Sequence, residues 1–128
     1  MENLEFNKYK SEVEKRWGNS KAYIEHAEKT KNYSKDKWDF LVQEMNEIFV
    51  EFSKCMKNGL NFESNEVQYL VKTLQTHITQ NYYNCTNEIL LGLGQMYVAD
   101  ERFKGNIDKS GEGTAAFVKA AIEVYCSK

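Results

Sequence analysis

Apolar residues return at intervals of three and four along most of this chain, and those intervals define helices. Phe6, Tyr9, Val13 and Trp17 share one face of a predicted helix over about Leu4 to Trp17. Gly18 is placed to end it in a left-handed cap, and Ser20 to cap a second helix reaching about Asn32. That second helix is weak, with only Ala22, Tyr23, Ile24 and Ala27 as apolar content. Ser34 opens the longest pattern, from about Lys35 to Asn58, with a stripe of Trp38, Leu41, Val42, Met45, Ile48, Phe49, Phe52 and Met56. Asp36 in its first turn and Lys54 and Lys57 in its last suit the helix dipole, and Asn58-Gly59 stops it.

The pattern continues with Ser64 as a cap and a helix over about Asn65 to Tyr83, burying Val67, Leu70, Val71, Leu74, Ile78 and Tyr82. A break at Asn84-Cys85-Thr86 follows, and Thr86 caps a helix through about Ala99 with Glu88 in its first turn. Asp100 caps a short continuation through Phe103, and the Gly105-to-Gly113 stretch reads as a loop. A last helix over about Thr114 to Tyr125 packs Phe117, Val118, Ala121, Ile122 and Tyr125. No segment reads as a strand. Six or seven unequal helices predict a compact, globin-like all-α fold, since several are too short for a regular four-helix bundle.

Composition narrows the function. A length of 128 residues suits one domain spanning the whole chain, and burial of about two thirds of the unfolded surface is expected at this size. There is no proline to interrupt a helix. A net charge of −2, from 17 basic and 19 acidic residues, argues against direct nucleic-acid binding. No apolar run approaches the ~20 residues of a membrane span, and Met1-Glu2-Asn3-Leu4-Glu5 lacks the blocks of a signal peptide, so a cytoplasmic location is expected. Three irregularly spaced cysteines, Cys55, Cys85 and Cys126, predict reduced thiols.

Cys85 carries the sharpest chemistry. It precedes the cap Thr86 at a helix N-terminus, where free amides and the helix dipole favour a thiolate. Small polar neighbours, Asn84 and Thr86, would leave the sulfur reachable, and Tyr82 and Tyr83 would supply flat walls for an electrophilic aromatic ligand. The competing reading is an inert buried thiol, the usual state of a free cysteine. Cys55, beside the stripe residue Met56, reads as packing, and Cys126 as a surface or satellite-core residue. His77, eight residues before Cys85, could act as its base in a cysteine hydrolase, but no orienting Asp or Asn is evident from spacing. It could equally be solvent-facing or hydrogen-bonded, and His26 reads as exposed. One helical histidine does not make a haem site, and the zinc spacings are absent, so neither a cofactor nor a metal is expected. Gly92 and Gly94 lack the third glycine and the strand of a phosphate-binding fingerprint; close helix approach, or space beside a ligand, explains them better. Aromatics at 13% are enough both for a core and for a pocket that takes a large planar ligand.

Two stretches resemble the TipAS antibiotic-recognition domain. One is Tyr9 through Tyr23, containing Arg16-Trp17-Gly18; the other runs from His77-Ile78 through Tyr82-Tyr83-Asn84-Cys85 to Gly92-Leu93-Gly94-Gln95-Met96-Tyr97-Val98-Ala99-Asp100-Glu101-Arg102-Phe103. Gly113 and Ala120-Ala121-Ile122 fit the family's closing helix. The resemblance implies a globin-like α domain without haem, the effector-binding part of MerR-type transcriptional activators, also found as a free protein. It implies binding of thiopeptide antibiotics in a cleft, with a cysteine adding to a dehydroalanine tail, and Cys85 matches that cysteine. Tyr82 stands where the family has Phe, and Glu101 where it often has Pro, which bears on the ligand more than on the fold. The family's winged-helix DNA-binding region has no counterpart in the chain.

The reading is therefore a non-enzymatic module that sequesters or senses bulky hydrophobic, antibiotic-like molecules, with a role in transcription regulation and drug resistance. Its ligand-binding candidates are Cys85, Tyr82, Tyr83, His77, Trp17, Met96, Tyr97 and Phe103. Asp100 and Arg102 are expected to form an ion pair or helix cap. A protein–protein interaction module without a ligand is the alternative, and a cysteine-dependent enzyme is the third reading. The oligomeric state is open.

Overall fold

A computed structural model describes residues 21–128, with side chains from Ile24 onward. The helix expected at Leu4 to Trp17, its Gly18 end, the Ser20 cap and the site candidate Trp17 lie outside the described residues. Six helices follow: α1 (Lys21–Thr30), α2 (Lys35–Lys57), α3 (Asn65–Asn81), α4 (Asn87–Ala99), α5 (Glu101–Asp108) and α6 (Thr114–Cys126). Among the described residues there is no strand, so the all-α, multi-helix class expected from the sequence is the one observed.

The capping residues act where their chemistry places them. Ser34, Ser64 and Thr86 each accept a hydrogen bond from the backbone N–H three residues on. Asp100 ends α4 and caps α5, accepting from the Arg102 N–H. At the end of α2, Gly59 takes a φ of 78°, the left-handed stop expected there.

One boundary differs. The Gly105 stretch, expected to be a loop, continues α5 as helix to Asp108. Three things outweigh the helix-weakening glycine: the Asp100 cap, the Lys104–Asp108 pair at 3.3 Å, and Ile107, which is buried in the core. The turn that follows is tied to α2, whose Ser53 hydroxyl and Lys57 ammonium both donate to the Ser110 carbonyl at 2.8 Å.

The core centres on α3. Val67, Val71, Leu74 and Ile78 form its buried stripe, with Phe49 and Phe52 of α2 on one side and Val118, Ala121 and Ile122 of α6 on another. The most extensive pairing is between α4 and α6. Gly94 makes it possible: a Cβ there would lie 3.2 Å from Ile122 Cδ1 and 3.6 Å from the Lys119 Cα. Gly92 faces open space. Gly94→Val should therefore cost about 1–3 kcal/mol by overpacking, whereas Gly92→Ala should add about 0.5–1 kcal/mol through helix propensity. Denaturant melts of the two variants check this, and opposite signs are the expected result.

α6 lacks a side-chain cap of its own, since Gly113 (φ 91°) precedes it. Asp108 serves instead, accepting from the Ala115 N–H at 2.9 Å. Burial pushes the Asp108 pKa up, but the Ala115 and Gly113 amides and Lys104 outweigh it and hold the carboxyl below its ordinary 3.8. A depressed folded pKa contributes stability above about pH 4 that is lost as pH falls through the folded value. Asp108→Ala should cost about 0.5–2 kcal/mol at pH 7. The gap between variant and parent should narrow below about pH 4, read by urea unfolding across pH.

Candidate functional site

The site is an aromatic cavity of about 220 Å³. One edge of the α2 stripe faces it, with Trp38, Val42, Met45 and Phe49 at helical spacing and Asn46 beside them. α3 contributes Ile78 and its two following tyrosines, Tyr82 and Tyr83. α4 supplies Leu93 and Tyr97, α5 supplies Phe103, Asn106 and Ile107, and α1 supplies His26. Among these described lining residues there is no Asp, Glu, Lys or Arg.

Tyr82 is brought into the wall because α3 stops there. Its φ and ψ of −125° and −60° leave the helix, and the N–H groups of Tyr82 and Tyr83 both fall back onto the Ile78 carbonyl, at 2.9 and 3.2 Å. The Thr79 hydroxyl accepts from the Cys85 N–H at 3.1 Å and fixes the next turn. α1, weak in apolar content, is held against this end by polar contacts. Lys29 donates to the Thr79 carbonyl, and the Tyr33 hydroxyl to the Asn81 carbonyl, both at 2.6 Å. A cation at the carboxyl end of α3 is also favoured by the helix dipole.

The rings then stack. His26 lies on Tyr82 at 5.8 Å with 11° between planes, and Trp38 on Tyr82 at 5.9 Å with 26°. Tyr33 meets Trp38 edge-on at 5.5 Å. On the far wall Tyr97 sits between Phe49, edge-on at 5.5 Å, and Phe103, tilted at 6.1 Å. These are the offset and edge-to-face geometries that aromatic rings prefer. Asn46 and Asn106 are solvent-exposed and bring amide donors and acceptors to the rim. The arrangement suits an uncharged, planar, heteroaromatic group that needs a few hydrogen bonds at its edge.

Of the residues expected from sequence, Tyr82, Tyr83, Tyr97 and Phe103 line the cavity. Met96 is buried in the core instead. His77 lies outside the cavity, in a groove between α2 and α3, with its edge against Tyr82 at 5.9 Å. It is buried, neither solvent-facing nor well hydrogen-bonded: Nε2 has no partner, and Nδ1 is 3.8 Å from a Glu44 carboxylate oxygen.

The expectation that Cys85 is reachable is overturned. Its residue is 3% exposed, the thiol points at the Thr86 carbonyl (3.9 Å), and burial pushes its pKa up to about 12, with Cys126 adding a little. Small neighbours do not expose a side chain that turns inward. Cys85 and His77 share no hydrogen bond, so no nucleophile–base pair is assembled.

Cys55 packs against the core as expected. Asp100 and Arg102 form the expected cap and ion pair, at 2.8 Å.

Sequence reasoning missed His26, Trp38, Met45, Phe49, Asn46 and Asn106 as site residues. His26, read as exposed, is half-buried by its stack on Tyr82. Only the α2 stripe carried a signal: it is broader than one neighbouring helix can cover, and Val42 remains exposed on it. No group of three or more His, Cys, Asp or Glu able to hold a metal occurs among the described residues, and no described helix is long and apolar enough to cross a membrane.

A helical domain built round an aromatic cavity is the class that fold and site define. Residues 9–125 match the TipAS antibiotic-recognition domain, and the chain belongs to that family. It is 40% identical over 119 residues to the HTH-type transcriptional activator mta of Bacillus subtilis, covering 92% of this chain and 45% of that protein. It is 37% identical over 116 residues to the HTH-type transcriptional activator TipA of Streptomyces coelicolor, covering 91% and 46%. The chain thus spans about half the length of these relatives. Among solved structures it is similar to Streptomyces lividans TipAS in complex with nosiheptide, from a thiopeptide antibiotic multidrug resistance system. The TM-score is 0.83 at 36% identity, over 94% of this chain and 85% of the other.

Trp38 tests the wall. Trp38→Ala should weaken binding of a planar aromatic ligand by roughly three- to tenfold, the worth of one ring contact. Titration calorimetry reads the affinity, with thermal melting alongside to separate affinity from stability.

Proposed function

We propose that this chain is a single-domain effector-binding module that captures bulky aromatic antibiotics of the thiopeptide class in the α1–α5 cavity, as part of transcriptional control. The observation that carries this reading is the cavity itself: aromatic, with no charged side chain among its described lining residues and two asparagines at its rim, on a chain 36% identical to one solved with nosiheptide. The azole rings and amides of a thiopeptide are neutral and planar, which is the chemistry such walls and rim would recognise. The relatives' names as transcriptional activators support a non-enzymatic role in the cytoplasm, with DNA contacted by some other part of the regulator.

The cavity is smaller than the ~300–1,000 Å³ that encloses a drug-sized ligand. A thiopeptide therefore inserts one edge, or the walls open around it. Cys85 adds to a dehydroalanine only after such opening. Its thiolate would then attack the β-carbon and form a C–S bond, and the alkene electron pair would take up a proton at the α-carbon. Nothing leaves, so the mass gain is that of one whole ligand.

Intact-mass spectrometry with a dehydroalanine-bearing thiopeptide checks both steps, with Cys85→Ser in parallel. One ligand mass gained by the parent and lost in the variant is the result expected. A rise in melting temperature without a mass gain would keep the cavity and remove the covalent step. Neither a mass gain nor a shift in melting temperature would sink the thiopeptide reading.

A further inference from the structure

The chain has two histidines, and both touch the same ring. His26 stacks on the face of Tyr82, and His77 meets it nearly edge-on at 66° between planes. Tyr82 is a wall of the cavity, whereas His77 is not. We propose that His77 is a positioning residue for this wall and couples occupancy of the cavity to pH: neutral His77 holds Tyr82 in place, and protonated His77 releases it. The proposal rests on the reading that the cavity is the ligand site.

The burial of the imidazole favours the neutral ring. Its side chain is 8% exposed, and buried Nε2 has no hydrogen-bond partner. As a lone pair this nitrogen tolerates its surroundings at modest cost. As an N–H of an imidazolium it would be a buried donor of a charged group with nothing to accept it, which is far more costly.

Among the described residues, the charged and titratable groups around it are few. α2 places Glu44 at 3.8 Å from Nδ1, with Glu47 and Glu51 further along the same groove. α3 itself contributes Lys72 and the phenol of Tyr69 to that groove. α1 reaches the ring through His26 on Tyr82, and sends Lys29 to the Thr79 carbonyl. Tyr82 is the phenol in contact. Burial disfavours the charged imidazole, Glu44 favours it, and burial wins, so the pKa is held below its ordinary 6.5.

The sign follows. A histidine with a depressed folded pKa favours the packed state above pH 6.5, and that preference is lost progressively as pH falls below it. On protonation the charge is best satisfied by turning Nδ1–H toward the Glu44 carboxylate and bringing Nε2–H to water. On this proposal either movement disturbs the contact with Tyr82. Apparent affinity then falls with the fraction of chains that keep the wall in place.

The test uses the full chain and nosiheptide, in a Cys85→Ala background so that thiol addition does not contribute. Equilibrium binding is measured at pH 7.5, 6.5 and 5.5. With His77 present the apparent Kd should rise from the highest to the lowest pH, by up to about tenfold. With His77→Gln, which stays neutral throughout, affinity should be lower at pH 7.5 but change less than about twofold over the range. Parallel pH profiles in the two proteins would overturn the proposal.

A second readout needs no ligand. The aromatic NMR signals of Tyr82 should titrate with the midpoint of the His77 ring, below 6.5, and should stop doing so in His77→Gln. If nosiheptide binds at no pH, the thiopeptide reading fails by itself, and Tyr82 signals indifferent to His77 would still overturn the coupling.

Discussion

The end of α3 at Asn81 is the constraint on which the rest of the structure depends. Up to that point α3 is the spine of the core, with its stripe from Val67 to Ile78 packed from both sides. Beyond it, two N–H groups bond to the single Ile78 carbonyl, and the chain turns sharply enough for Thr86 to cap a new helix. That turn places α4 against α6 and, in the same stroke, swings Tyr82 and Tyr83 into the cavity. The contacts from Lys29 and Tyr33 to the last carbonyls of α3 secure the break, because those carbonyls have no partners within the helix.

The cavity consists of surfaces that each helix leaves over once the core is filled. α2 has too wide an apolar stripe for α3 alone. Leu41 and Phe52 are shut inside, while Trp38, Val42 and Met45 along one edge are not. α4 and α5, bent apart at Asp100, contribute Tyr97 and Phe103 to the opposite side. No single helix encodes the site. It exists because α1 to α5 are held at angles that leave their apolar and aromatic edges facing one another.

This explains what the sequence revealed and what it hid. Ser34, Ser64, Thr86 and Asp100 could be placed as caps because each acts on an amide two or three residues away. Ile107 could not be seen to extend α5, since its burial depends on the rest of the core, while Gly105 beside it argues locally for a loop. Tyr82, Tyr83, Tyr97 and Phe103 were legible through family motifs. His26 was not: α1 has too little apolar content for periodicity to orient it, and its stack on Tyr82 is set by the end of a helix some fifty residues away. Asn46 and Asn106 carry no local signal, and only the fold brings them to one rim.

Cys85 shows why position in a motif does not settle reactivity. A helix N-terminus favours an anion by about 0.3–1 kcal/mol, and up to ~2 in good geometry. A thiol pushed up to about 12 from its ordinary 9.0 is disfavoured as a thiolate by about 4 kcal/mol. Burial therefore wins, and in the closed state the sulfur behaves as a core atom. Under the proposed capture of a dehydroalanine-bearing ligand, this burial would protect the thiol. A permanently exposed thiolate would be spent on any small electrophile, whereas a buried one would be spared unless a bound ligand opened the turn from Tyr82 to Thr86. Recognition by the aromatic walls would then come first, and any chemistry at Cys85 would follow only for a ligand whose binding energy exceeds the cost of that opening.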